Sequence, residues 1–319
     1  MEVNMQEKSE KPKLELLRPK IDVVFHALFR EANNTLLEAM LSAILGNKIK
    51  IKANLDRHLN ITNPEEKLGV MDLRVEFEDG TNCNVELQLN KYSYENERFM
   101  YYLADTYSRQ LERGNVYEAI NKTISIVITD YETEVLKGIE ELNVRWQMRD
   151  DKTGKRLLTD KFELVIIELP KAKRIYEKKN EDEISQWMMF LDNPNSKEVA
   201  EIMDKNKDIK EAAEKLEQVS GDYEIRRIAE LKEKYIRDEQ AARDYAIKQG
   251  LQEGLQQGIQ QGIQQGIQQG IQEGVQKGVQ KGIQQGVKQT AKKMLELNVA
   301  IDTIMQVTNL SKEEIMKLK

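Results

Sequence analysis

From Asp22 onward, apolar residues fall at Val24, Phe25, Leu28, Phe29, Leu36, Leu37, Met40, Leu41, Ile44 and Leu45. This spacing predicts helix, with Asp22 as a natural N-cap, a break near Asn33–Asn34 and Gly46 as the stop. Residues 68–78 and 82–90 instead alternate apolar and polar around Asp79-Gly80, the period of strands. Helical spacing returns over 93–113 and is expected to end at Gly114. ISIVIT (124–129) and FELVIIEL (162–169) are short apolar runs suited to strands buried on both faces. The polar tail 1–19 therefore precedes an expected α/β domain over 20–180, followed by a charged helical region, 181–249. Glycine then recurs at every fourth position from Gly250 to Gly286, each followed by Leu, Ile or Val. This G-[LIV]-Q-[QEK] repeat, with Lys288 replacing glutamine in the last copy, occupies 250–289. A small helical tail, 290–319, closes the chain, and Ser311-x-x-Glu314 gives it a capping-box signal.

The two alternating segments constrain each other. Met71, Leu73, Val75 and Phe77 share one face of the first, and Asp72, Arg74, Glu76 and Glu78 the other. In the second, Cys83, Val85, Leu87 and Leu89 alternate with Asn82, Asn84, Glu86, Gln88 and Asn90. If both apolar sets face one core, Asp72 must pair with Glu86 and not with Leu87. A two-residue Asp79-Gly80 turn would put the faces out of register. A three-residue loop of Glu78, Asp79 and Gly80, with Gly80 left-handed in a bulge, pairs residue 77 with 81 and residue 72 with 86. Two carboxylates then stand about 5 Å apart at Cβ on one face, where like charges destabilise a sheet. A divalent cation such as Mg²⁺ or Mn²⁺, held by hard oxygen ligands, resolves that conflict. It would also activate water and stabilise charge developing at phosphorus. The alternative is a solvated acidic face.

Composition narrows the setting. The net charge of −6 gives no global attraction to nucleic acid, so any grip on DNA must come from local basic groups. Cys83 is the single cysteine, which leaves no disulfide framework or thiolate cluster. The charged start lacks the apolar core of a signal peptide, and no stretch has the length of a membrane span, so a cytoplasmic protein is expected. His26 and His58 share no metal-ligand spacing. The glycine repeat lacks a G-K-[ST] ending and so is no phosphate loop.

Asp72-x13-Glu86-Leu87-Gln88 on a hairpin resembles the PD-(D/E)XK nuclease superfamily. KIDVVFHALF (20–29), GVMDLRVEFEDG (69–80), VELQL (85–89), RFMYYLADTYSRQLERGNVY (98–117) and the glycine-rich tail more closely resemble its Rpn family of recombination-promoting nucleases, or transposase-like proteins. The likeness runs over about residues 14–175, with a looser likeness in the tail. It implies an α/β fold: a PD-(D/E)XK nuclease-like core with a mixed sheet and central antiparallel hairpin flanked by helices, then an all-α C-terminal region. It also implies a Mg²⁺-dependent DNA endonuclease, Mn²⁺ serving as well, linked to recombination, mobile elements or defence against foreign DNA. Asp72 and Glu86 would be metal ligands joined by the Leu87 carbonyl, and Asp22 a further acidic ligand. Gln88 stands where the superfamily has lysine, although the Rpn-like branch commonly carries glutamine. A neutral amide can orient water only by hydrogen bonding. The rival reading is therefore a nuclease-fold DNA-binding or assembly protein with weak or no turnover.

DNA-phosphate candidates are Lys67 before the first strand and Arg98, Tyr102, Arg109 and Arg113 on the following helix. Tyr101 and Tyr107 of that helix are expected in the core. Lys171, Lys173, Arg174, Lys178 and Lys179 form a second basic run, which suits a solvated surface. In the repeat, a period of four advances an apolar stripe by roughly 40° per copy, favouring right-handed winding with a partner. Ten glycines cost a lone helix about 10 kcal/mol relative to alanine. A flexible linker is one solution; the regular aliphatic position favours a self-associating helix and hence a homo-oligomer of at least two chains.

Overall fold

The apolar stripe of residues 22–45 forms two helices, α1 (Asp22–Phe29) and α2 (Thr35–Leu45), in a computed structural model that describes residues 15–30, 34–55, 73–111, 114, 116–178 and 182–318. Gly46, at φ +73°, ends α2 in the left-handed conformation glycine adopts freely. Asp22 does not cap α1. Ile21 holds the N-cap position, and Asp22 is the first helical residue, where its charge faces the positive end of the helix.

Six strands form one mixed sheet: β1 (Ile51–Asn54), β2 (Leu73–Phe77), β3 (Asn82–Gln88), β4 (Thr123–Thr129), β5 (Asn143–Gln147) and β6 (Phe162–Glu168). Their order is β1-β2-β3-β4-β6-β5, with parallel pairing at β3–β4 and β4–β6 and antiparallel pairing elsewhere. The β2–β3 hairpin has the bulged loop: Phe77 N–H donates to Thr81 at 2.8 Å, Gly80 N–H donates to Phe77 at 3.0 Å, and Gly80 sits at φ +84°. Leu73 pairs with Val85 and Val75 with Cys83, so the apolar sets of both strands share one face. Asp72 lies outside the described residues. β1 and β5 had no clear signal in the sequence because each is a short, half-exposed edge strand.

Helix α3 (Glu95–Ser108) carries the chain between the parallel strands β3 and β4. It stops before the expected Gly114. Gln110 instead ties the chain to the sheet, accepting from Asn82 Nδ2 and Asn121 N–H at 3.0 Å each and donating to Thr123 Oγ1 at 2.7 Å. Tyr101, expected inside, is 66% exposed, whereas Tyr107 packs edge-on against Phe162. Phe99 and Leu103 cover one sheet face together with Val127, Leu136, Leu164 and Ile166.

The opposite face holds the larger core, in which α1 and α2 pack with Val75, Val85, Ile126 and Val165. That core does not end at residue 180, where the sequence pattern placed a boundary. After α4 (Ala172–Lys178), helices α5 (Glu183–Asp192), α6 (Lys197–Lys205) and α7 (Lys207–Gly221) bring Trp187, Phe190, Val199, Ile209 and Leu216 into it. Their charged composition conceals narrow apolar stripes, which suffice to bury one side of each helix. The described residues up to 241 form one compact unit and those from 242 onward a second.

α8 (Tyr223–Glu296) includes the whole glycine repeat as helix. Within the second unit, α9 (Ile301–Thr308) and α10 (Lys312–Met316) close a small cluster around Ala291, Ile304 and Ile315. The capping box forms: Ser311 Oγ accepts from Glu314 N–H, and the Glu314 carboxylate accepts from Ser311 N–H. Among the described residues no helix is long and apolar enough to cross a membrane.

Candidate active site

Glu86 and Gln88 stand on the face of β3 that α3 covers, in line with Asn84. Asn84 and Glu86 are wholly buried and Gln88 is 4% exposed, so this row is no solvated acidic face. The parallel register sets Asn84 beside Ser125, Glu86 beside Val127 and Gln88 beside Thr129. The alternation that put these side chains opposite the apolar set was legible in the sequence. Their burial was not, because it depends on a helix that arrives from beyond the hairpin.

Burying a carboxylate demands compensation. The Gln88 amide donates to Glu86 Oε1, and Arg98 of α3 brings a guanidinium nitrogen to 3.5 Å from the same oxygen. Arg98 is thus turned inward, not displayed toward a phosphate. Its guanidinium lies 5.7 Å from the Tyr92 ring centroid and 5.4 Å from that of Tyr102, within cation–π range of both. Burial first, and then the neighbouring Glu95 carboxylate, push the Tyr131 hydroxyl well above its usual range, with Glu86 adding to the effect. Tyr131 therefore stays protonated beside these acids.

Gln88 accepts from Asp130 N–H at 2.9 Å on the β4 side. Backbone carbonyls alternate along a strand, so that of Leu87 points to the β2 side. Several polar atoms close by have no hydrogen-bond partner among the described residues: both amide atoms of Asn84, Ser125 Oγ and Thr106 Oγ1. Such atoms are costly to bury and rare in a purely structural role. Sequence reasoning passed over Asn84 and Ser125, although the strand period already set Asn84 on the face of Glu86.

The other candidates scatter. Asp72, Lys67, Arg113, His58 and Lys179 lie outside the described residues. Asp22 accepts from Val23 N–H at 2.7 Å and is ion-paired with Lys232 of α8. Arg109 donates to Asp105 at 2.7 Å from an exposed position, and Tyr102 is half-buried. The second basic run is neutralised: Lys171 is buried against Glu168 at 2.6 Å, and Lys173, Arg174 and Lys178 pair with Glu198, Glu132 and Glu140. Burial, with Glu163 second, pushes the Cys83 thiol up, which leaves it a poor nucleophile. No group of three or more His, Cys, Asp or Glu side chains is assembled for a metal among the described residues.

A family model described as PD-(D/E)XK nuclease family transposase matches residues 19–246. No curated protein and no solved structure matches significantly.

Proposed function

Because the chain belongs to the PD-(D/E)XK nuclease family transposases, we propose that it is a metal-dependent DNA endonuclease hydrolysing phosphodiester bonds at Asp72, Glu86 and Gln88. The observation that carries this reading is the wholly buried Glu86 carboxylate, one residue beyond the Leu73–Val85 pair. The sequence pattern expects Asp72 to pair with Glu86. Asp72 would then bring a second carboxylate beside Glu86, and a divalent cation between the two would relieve their repulsion.

The donors suit a hard divalent cation. Glu86 offers carboxylate oxygen, Leu87 a carbonyl directed toward β2, and Asp72 would complete the set. Bound there, Mg²⁺ or Mn²⁺ supplies an acidified water and charge stabilisation at phosphorus. Gln88 holds Glu86 in place through its amide and can orient water by the same group. Arg98 limits the repulsion between the acids before substrate arrives. Asn84 and Ser125 offer hydrogen-bonding atoms beneath the site.

The repeat supports self-association as the second part of the reading. A Cβ built on any of its ten glycines meets nothing within 4 Å in this chain. Leu251, Leu255, Ile259, Ile263, Ile267 and Ile271 remain 55–74% exposed beside them. Packing against a second copy through this row offsets the helix cost of the glycines and covers the aliphatic stripe. Recombination, mobile-element activity or defence against foreign DNA is the expected setting.

One observation favours the rival reading, a nuclease-fold binding protein: Arg98 and Gln88 already occupy one oxygen of Glu86. Nicking of supercoiled plasmid by the full chain decides between them. The nuclease reading expects relaxed and linear products with Mg²⁺ or Mn²⁺ and none with EDTA. Intact plasmid under every metal would leave the binding protein.

A further inference from the structure

Arg98 is the middle of a longer chain of contacts. On one side its guanidinium faces Tyr92, and Tyr92 is stacked on Tyr94 with ring centroids 5.6 Å apart and planes 23° apart. On the other side it faces Tyr102, whose ring meets Tyr101 edge-on at 5.7 Å. The order Tyr94–Tyr92–Arg98–Tyr102–Tyr101 is thus a continuous aromatic arc whose central cation touches Glu86. Its two ends are open to solvent: Tyr94 is 55% exposed and Tyr101 66%, with Met100 beside Tyr101 at 47%. Exposing this much aromatic surface around a buried ionic site gains nothing for the fold.

We propose that this arc is a stacking platform for unpaired nucleobases, and that the site therefore acts on single-stranded or locally opened DNA. The inference rests on the DNA-processing reading of the Glu86 site and specifies its substrate. In an intact duplex the base faces are hidden, so rings that offer π surface gain little from it. An unpaired strand presents those faces, and aromatic stacking binds them with little regard to sequence. Stacking, not charge, carries the grip, since the guanidinium of the arc is already paired with Glu86 and the chain's net charge is −6. Bases held at the exposed ends would bring the linking phosphates to the Glu86 site. A protein partner would use the same rings but has no need of their connection to the carboxylate.

The test is fluorescence anisotropy on the full chain in EDTA, where nothing is cut. The probes are a labelled single strand of about 15 nucleotides, near the upper site size of such grooves, and the matching blunt duplex. The unsubstituted protein is expected to prefer the single strand. The double variant Y94A/Y101A is expected to lose single-strand affinity by about tenfold or more, with duplex binding and thermal melting unchanged. Y94F/Y101F, which keeps both rings, should bind as the unsubstituted protein does. Equal binding of strand and duplex, or a Y94A/Y101A variant with undiminished single-strand binding, overturns the proposal. So does weakened self-association of that variant with DNA binding intact, which would assign the arc to a protein contact. Plasmid nicking with Mg²⁺ or Mn²⁺ keeps the two readings apart. Nicking without tyrosine-dependent strand binding sinks the platform alone. Strand binding through the tyrosines without nicking sinks only the nuclease.

Discussion

Glu86 has no exposed surface, and the groups that make its charge tolerable also define what its removal should do. Glu86→Ala leaves the Arg98 guanidinium, itself only 21% exposed at the side chain, without its carboxylate. Partial exposure and the flanking tyrosines soften the penalty, so the expected loss is about 1–2 kcal/mol of stability by chemical denaturation. Glu86→Gln keeps a hydrogen-bonding group and should lose less, while both variants lose cleavage. An unaltered denaturation midpoint for Glu86→Ala would show that Arg98 does not depend on it. Gln88 makes a separate prediction. Gln88→Ala removes the amide that holds Glu86 and should slow cleavage by about 10–100-fold, the usual range for a ligand's supporting partner. Gln88→Lys restores the superfamily pattern and should retain or raise the rate. A Gln88→Lys protein that binds metal but is inactive would contradict this role for Gln88. The strand period alone revealed which side of β3 these residues occupy. Arg98, 12 positions away, could not be assigned to Glu86, because helical spacing says which residues share a face but not what that face meets.

At the scale of elements, the hairpin depends on one loop. Gly80 at φ +84° has Asn121 atoms 3.4 Å from where a Cβ would sit, so Gly80→Ala combines backbone strain with a tight contact. About 1 kcal/mol of destabilisation is expected by thermal melting. Deleting one residue of Glu78-Asp79-Gly80 should cost far more, because it turns one strand's apolar set away from the core. The polar row under α3 carries a different expectation. If Asn84 and Ser125 serve the site and not the fold, Ser125→Ala should leave stability unchanged or raise it by up to about 1 kcal/mol. A clear destabilisation would mean that Ser125 is structural. α1, α2, β3, β4 and β6 were readable from period and run length because each buries a continuous apolar face. β1 and β5 were not, since an edge strand with half its surface exposed needs no such pattern. The helices beyond residue 180 were readable as helices, but composition could not show that their thin stripes join the sheet's core.

At the scale of the molecule, the proposed function makes the repeat the assembly device and the first unit the seat of the chemistry. Removing whole tetrads shortens the stripe and should weaken association stepwise, as measured by light scattering on the full chain. Inserting one residue rotates everything beyond it by about 100° and should do more harm than losing a complete tetrad. Indifference to both changes would reduce the repeat to a spacer. The central claim concerns the carboxylate pair, and Asp72→Ala tests it most directly, beside the unsubstituted protein, by relaxation of supercoiled plasmid in Mn²⁺. Loss of cleavage by about a hundredfold or more, with the melting curve preserved, is the result the paired-carboxylate site predicts. Relaxation at the unsubstituted rate by Asp72→Ala would contradict it.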